Sequence, residues 1–269
     1  MNSVSQPRIA FLGATGGTGS ATLRSLLARQ DHKFQLQIFV RSKAKLLRLF
    51  PELEASPTSK IWEGQLDNVD TMKDCLRGAD IIICTLGENQ NIPGLHVLQD
   101  GARSMMAALD LLQTEDGWKK PRLIFLSSAT LNARFAAATP APMIWILRTA
   151  FCHPYADLLA AQAIFTAKPH LLSLLLVQPP AIVEDDATGH EISTESVRLA
   201  VSYADLGAAF AELALERSYD KLGAVGVSSQ GGDAFGKYGL ELASRMVIGL
   251  LAGYVPGYWS LAALLKNWC

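Results

Sequence analysis

Three glycines spaced three apart, Gly13, Gly16 and Gly19 in GATGGTG, are the first residues in this chain with a chemical use. Gly13 permits a tight turn out of a strand. Gly16 lets the backbone approach a pyrophosphate, and Gly19 lets a helix pack closely on the strand. Gly17, Thr15 and Thr18 complete the turn. Amides at a helix start, with the positive end of the helix dipole, hold phosphate oxygens. The second feature is Arg41, with Ser42 and Lys43 beside it and no acid nearby in the sequence. A carboxylate there would bind the ribose 2′-hydroxyl of NAD, whereas a cation accommodates the 2′-phosphate of NADP. The plain alternatives are an ordinary turn and a solvated arginine. Together the two features favour an NADP(H) site.

The elements that must position these residues follow from the pattern of apolar runs. Ile9–Leu12 reads as a strand, and Ser20–Arg29 as the helix after the glycine turn. That context distinguishes a dinucleotide turn from any other glycine cluster. Gln35–Val40, Lys60–Glu63, Asp80–Thr85, Pro121–Leu126 and Leu171–Val177 are further strands. Helical stretches at 43–50, 69–77, 95–112 and 143–167 alternate with them. The last of these is expected to break near His153-Pro154, because a residue before proline is biased towards extended backbone. Asp205–Arg217 reads as a helix capped at Asp205, and Leu222–Val227 as a last strand. Such alternation predicts an α/β fold, a Rossmann-like doubly wound parallel sheet with an apolar C-terminal helical appendage. Residues 1–229 form the dinucleotide-binding domain on this basis, and 230–269 the appendage, with 230–233 as a hinge. Ligands lie at the carboxyl ends of the strands. The cofactor candidates are therefore Gly13–Gly19, Arg41, Lys43, Gln65, Leu86, Gly87, Ser127 and Pro179.

Composition narrows the function classes. The 269 residues are 49% hydrophobic, enough for a large core, and the net charge of −1 offers no basic field for nucleic acid. Cys75, Cys84, Cys152 and Cys269 are scattered, and the five histidines have no metal-ligand spacing, so no metal is expected. No signal peptide or run of about 18 apolar residues is visible, which leads to the expectation of a cytoplasmic protein.

GATGGTG, VRSKAKL after the second strand, DIIICTLG, LIFLSSA, VQPPAI and VSYADLG together resemble the atypical short-chain dehydrogenase/reductase group. Within it, the likeness is to NmrA-like proteins and the biliverdin/flavin reductase type, over about residues 8–229. The resemblance implies a Rossmann-like fold. It implies an NADP(H) site using Gly13, Thr15, Gly16, Thr18, Gly19 and Arg41, with Leu86 and Gly87 along the cofactor and Ser128 near the nicotinamide. The chain departs from these relatives at four points. Gln65 stands where many have an acid for adenine. Tyr155 is followed four residues later by Leu159 and not by the lysine of Tyr-x-x-x-Lys. Gln162 aligns with a helical lysine of NmrA-like reductases, and Ala181 with a histidine of the flavin reductase type.

Ser128, Tyr155, His153 and Asp157 remain as catalytic candidates. Ser128 could donate to a substrate oxygen or simply bond the backbone at its strand end. Asp157 could equally cap a helix, and Tyr155 could pack as an aromatic. His153 is the one neutral-pH proton carrier near this region. Hydride transfer to an electron-poor conjugated system can proceed with the protein supplying mainly orientation.

The segment 235–269 has apolar residues at helical spacing around Tyr254, Tyr258 and Trp259. It is expected to cover the substrate side as an aromatic wall that Trp145 joins, with a dimer contact or a membrane-surface helix as the alternative. The chain is accordingly expected to be a monomer or homodimer. The leading function is an NADPH-dependent reductase of a small hydrophobic conjugated substrate in specialised metabolism. A redox-neutral isomerase, dehydratase or cyclase and a non-catalytic NADP-sensing regulator are the rivals.

Overall fold

A computed structural model describes residues 6–29 and 31–266. In chain order the elements begin with β1 (Arg8–Leu12), α1 (Gly17–Ala28), β2 (Gln35–Val40), α2 (Lys43–Leu49) and β3 (Ser59–Glu63). Then come α3 (Val69–Leu76), β4 (Ile81–Cys84), α4 (Val97–Leu112), β5 (Arg122–Leu126), α5 (Ala141–Ala150) and α6 (Cys152–Thr166). The chain continues through β6 (Ser173–Gln178), β7 (Ala181–Val183), β8 (His190–Ser193), β9 (Ala200–Ser202) and α7 (Tyr203–Leu215). It closes with β10 (Ala224–Ser229), α8 (Phe235–Tyr254) and α9 (Tyr258–Lys266).

The main sheet has the order β3-β2-β1-β4-β5-β6-β10-β8. Every pairing in it is parallel except that of β8 with β10. Strands buried on both faces need no polar alternation, which is why β1 is an unbroken apolar run. Ile9 and Phe11 join the core beneath α1 and α7, with Leu23, Leu26 and Phe210. Ala10 and Leu12 join the opposite core beneath α3, α4 and α6, with Met72, Met105 and Phe165. This is the doubly wound arrangement expected from the sequence. β7 and β9 form a separate parallel pair that the sequence did not suggest, because three-residue strands carry no periodicity.

Three local expectations need correction. The helical stretch after Met143 does break near His153-Pro154, at Phe151 (φ −121°, ψ 35°), but those two residues are not extended and lie in the first turn of α6. Proline is tolerated there because first-turn amides have no intrahelical acceptor. Ser202, not Asp205, caps α7, its hydroxyl accepting from the Asp205 amide at 3.0 Å. The Asp205 carboxylate instead faces inward and accepts from Ser229 Oγ and the Thr188 and Gly189 amides. The stretch 230–233 is a tied turn and not a hinge. Gln230 N donates to Gly189 O at 2.8 Å, Gly231 N to Thr188 Oγ1 at 3.1 Å, and Arg198 pairs with Asp233 at 2.6 Å.

A carboxylate latch fixes the start of α8. Asp185 accepts from Lys237 Nζ and from the Tyr238 hydroxyl, and these two donors bring its pKa down from 3.8 to about 2. Because the folded pKa lies below the ordinary one, the latch stabilises the fold above about pH 4 and is lost as pH falls through about 2. Asp185→Asn is expected to lower the Tm at pH 7, with the gap to the parent narrowing towards pH 2. Thermal unfolding across that range checks it, and a gap independent of pH would contradict it.

Beyond the latch, Leu240, Val247, Ile248 and Leu251 of α8 and Leu261 and Leu264 of α9 are exposed. No single helix among the described residues is long and apolar enough to cross a membrane. Of the aromatics expected to form one wall, only Tyr258 and Trp259 are in ring contact among the described residues. Trp259 donates back to Ala252 O, while Trp145 on α5 is 69% exposed.

Candidate dinucleotide and substrate site

β1 lies at the point where the strand order reverses, with β2 on one side and β4 on the other. The helices leave to opposite faces there, so a crevice opens at the carboxyl ends of the strands. Gly13 has φ of 88°, and a Cβ on it would lie 2.6 Å from the Thr85 carbonyl carbon. A Cβ on Gly19 would lie 1.9 Å from Gly13 O. Gly16 differs: it is exposed, and its only neighbour on that side is Gly13 O at 3.5 Å. It caps α1 without a side chain, and no acid stands in the first turn of the helix. The first amides of α1 are therefore uncapped and uncontested, which is the donor set an anion needs. Thr18 is buried at the base of the turn, Thr15 is half-buried and Gly17 is exposed. These residues fit a dinucleotide diphosphate.

Arg41 and Lys43 are exposed beyond β2, and Arg41 makes no ion pair or hydrogen bond among the described residues. No acid stands near Arg41 in the sequence, but the fold brings one to the neighbouring Lys43 amide. β2 pairs in register with β3, placing Val40 opposite Glu63, and Glu63 Oε1 accepts from the Lys43 amide at 2.9 Å. Ser42 caps α2, accepting from Lys45 N at 3.2 Å. Gln65 is exposed in the loop after β3, and Gly87 is exposed after β4. Leu86 packs onto α4, where a Cβ on Gly101 would lie 2.9 Å from Leu86 Cδ1.

At the ends of β5 and β6 the polar groups are mainly hydroxyls and amides, with the Arg148 guanidinium donating to Thr130 O at 3.1 Å. Ser127 Oγ accepts from Gln162 Nε2 at 2.7 Å and from Gln178 Nε2 at 3.4 Å. Gln178 Oε1 accepts from Asn132 Nδ2 at 2.7 Å. Ser128 Oγ accepts from the Thr130 amide at 3.3 Å, and the Tyr155 hydroxyl donates to Thr130 Oγ1 at 3.2 Å. Pro179 is buried, its carbonyl accepting from Ala129 N at 2.9 Å. Thr130 and Gln178 fall in the strand-end segments 127–130 and 178–182 where the sequence expects a ligand, though neither is singled out there, and Asn132 lies outside them. Only Gln178 left a signal there, as a polar residue closing an apolar strand before two prolines. Cys84 nearby is an inert core thiol, its pKa pushed up to about 12 by burial.

His153 and Asp157 do not join this group through hydrogen bonds. The His153 amide donates to Asn91 Oδ1 at 2.9 Å. Asp157 is fully buried, and its carboxylate accepts from the Leu98 and Gln99 amides at 2.8 and 3.0 Å. It caps α4 from α6, so its assignment as a catalytic group is corrected to a structural one. Removing a cap costs about 0.5–2 kcal/mol, and leaving a buried donor unpaired costs about 1–3 kcal/mol, so a cap on two amides this deeply buried falls at or above the top of the first range. Asp157→Ala is therefore expected to lose about 2–3 kcal/mol of stability in urea unfolding while keeping its NADPH affinity. Unchanged stability with lost turnover would restore the catalytic role.

Two surface hollows of about 390 and 330 Å³ lie at the other end of the sheet, around Arg8 and Arg77. They sit at the amino ends of the strands, away from the crevice.

A family model described as NAD(P)H-binding matches residues 13–217. The chain is 38% identical over 211 residues to oxidoreductase stcQ of Emericella nidulans, covering 77% of each chain. It is 34% identical over 252 residues to oxidoreductase aflX of Aspergillus parasiticus, covering 93% of this chain and 92% of that one. Among solved structures, a short-chain dehydrogenase/reductase from Veillonella parvula in complex with NADP superposes with a TM-score of 0.64 at 17% identity. The match covers 84% of this chain and 96% of that one, and it supports the fold.

Proposed function

The chain belongs to the NAD(P)H-binding family and is an NAD(P)-dependent oxidoreductase, and we propose that it is an NADPH-dependent reductase of a small, hydrophobic, conjugated substrate in specialised metabolism. The observation that carries the substrate class is the polar network at the ends of β5 and β6, in which the partners of Ser127, Ser128 and the Tyr155 hydroxyl among the described residues are neutral. Tyr155 has no lysine one turn on, and the group on Ser127 is an amide, Gln162. Such a network can bind and orient a carbonyl, and the guanidinium that reaches it, Arg148, donates to the Thr130 carbonyl at 3.1 Å and to neither Ser127 nor the Tyr155 hydroxyl. A substrate whose own conjugation delocalises the incoming charge needs no more than that.

NADPH, when bound, supplies a hydride. Ser128 Oγ donates a hydrogen bond to the oxygen on which charge develops, and the Tyr155 hydroxyl, which donates to Thr130 Oγ1, joins it only by exchanging that partner. Ser127, Gln162, Gln178 and Asn132 hold the ends of β5 and β6 in place around it, and the final proton comes from water. One hydrogen-bond donor to a developing oxyanion is worth about 10²–10³ in kcat. Ser128→Ala is expected to lower kcat by about 10² with little change in KM.

The direct test is transfer of deuterium from NADPH labelled at C4 into the product. One label per turnover, with stoichiometric NADPH loss, is the expected result. Turnover without loss of NADPH would assign the redox-neutral reaction instead. NADPH binding with no turnover of any conjugated substrate would assign the sensing role.

A further inference from the structure

Thr130 is the meeting point of three groups beyond the end of β5. Its amide donates to Ser128 Oγ at 3.3 Å, and its hydroxyl oxygen accepts from the Tyr155 hydroxyl at 3.2 Å. Its carbonyl accepts from Arg148 Nη2 at 3.1 Å. Both hydroxyls of the proposed substrate site and one guanidinium are thus bonded to a single residue. They come from the turn after β5, from α6 and from α5.

Arg148 has donors to spare. A guanidinium carries several N–H groups in a planar fork. One of them is on Thr130 O, and among the described residues no acid and no other acceptor takes the rest. Arg77, Arg122, Arg134, Arg198 and Arg245, by contrast, each pair with a carboxylate. The Arg148 side chain is exposed, and its surroundings on the helix are apolar. It is the only charged residue of α5. Trp145, three positions earlier and so on the same helix face, is exposed, as is Met143. A cation in the last turn of a helix also complements the helix dipole. That alone does not call for a side chain reaching Thr130, next to both hydroxyls.

We propose that Arg148 recognises a carboxylate on the substrate, so that the conjugated substrate is an organic acid. The guanidinium fork matches the two oxygens of a carboxylate, and the exposed Trp145 ring offers a face for the conjugated system. The substrate then spans two anchors joined through Thr130, with its carbonyl at Ser128 and its anion at Arg148. The charge on an arginine is permanent, so the preference for an acid holds across neutral pH. The inference deepens the reductase reading and rests on it for the ligand's role as substrate. Binding tests it without turnover, so the two fail separately.

The test is calorimetric titration of the full chain, saturated with NADPH, with 2-naphthoate and its neutral counterpart 2-naphthamide at pH 7. The parent is expected to bind 2-naphthoate about tenfold more tightly than 2-naphthamide. Arg148→Met is expected to remove that preference and to leave 2-naphthamide unchanged. Arg148→Lys, which keeps the charge without the fork, is expected to keep part of it. A parent that prefers neither probe, or binds neither, would overturn the proposal, as would an undiminished preference in Arg148→Met. An equal loss of both probes in Arg148→Met would overturn it too, because that pattern marks a general disturbance of the site. A preference for 2-naphthoate without deuterium transfer from NADPH to any substrate would leave the anion site standing and remove the reductase reading.

Discussion

Gly19→Ala is expected to abolish measurable NADPH binding, although alanine is the better helix former. In an exposed helix interior the exchange stabilises by about 0.8–1 kcal/mol. Here the added methyl would lie 1.9 Å from Gly13 O, with the Gly13 carbonyl carbon at 2.7 Å and Thr85 Oγ1 at 2.8 Å. Two of those three atoms are backbone of the turn, so no side-chain rotation relieves the overlap. Overpacking costs about 1–3 kcal/mol even where side chains can adjust, so the clash outweighs the propensity gain. Relief must come from moving the turn away from α1, which pulls the first helix amides out of register with a diphosphate. The expected result is a loss of more than about 10²-fold in NADPH affinity, each tenfold corresponding to about 1.4 kcal/mol. The fall in Tm is expected to be a few degrees, because the two cores beneath the sheet are untouched. Fluorescence titration with NADPH, beside thermal unfolding of the same variant, checks both halves. Parent-like affinity in Gly19→Ala would mean that the diphosphate does not sit at this turn.

What could be read from the sequence is what depends on neighbours in the chain. The turn from Gly13 to Gly19, the buried strands and the order of helices between them are local patterns, and they arrange the crevice correctly. What could not be read depends on register and on distant pairing. Glu63 reaches the Lys43 amide only because β2 and β3 align Val40 with Glu63, 23 residues apart in number. Asp157 caps a helix that begins some sixty positions earlier, so no spacing rule could reveal it. The polar network shows the same limit. Gln162 reads in the sequence as a lysine lost from a family position, but its amide is placed on Ser127. The absence of a cation is visible in one dimension, whereas the amide's structural use is visible only in three.

Arg41→Asp is the second large effect, and Glu63 makes it larger than the sequence suggests. In the parent, the guanidinium is exposed and makes no ion pair among the described residues, so it is available to a 2′-phosphate. Losing a charge-assisted hydrogen bond removes about 1.5–3 kcal/mol, or roughly ten- to hundredfold in affinity. The new carboxylate would also join Glu63, already fixed on the Lys43 amide, and both would repel a phosphate. The expected result is a loss for NADPH of about hundredfold, at the upper end of that range. NADH is expected to bind at least as well as before, because a carboxylate can accept from its ribose 2′-hydroxyl. The position is exposed, so the repulsive part must shrink with salt, whereas the lost hydrogen bond is less sensitive. Titration of both cofactors at 0.05 and 0.5 M salt, roughly a threefold change in Debye length, separates the two contributions. Equal NADPH affinity in the mutant and the parent would remove the 2′-phosphate from this position. Glu63→Gln in the parent background isolates the remaining question. It keeps an acceptor for the Lys43 amide but removes the charge, and is expected to tighten NADPH while leaving NADH unchanged. Glu63, fixed on the Lys43 amide, would thus hold NADPH affinity below what Arg41 alone could give, in exchange for a fixed first turn of α2.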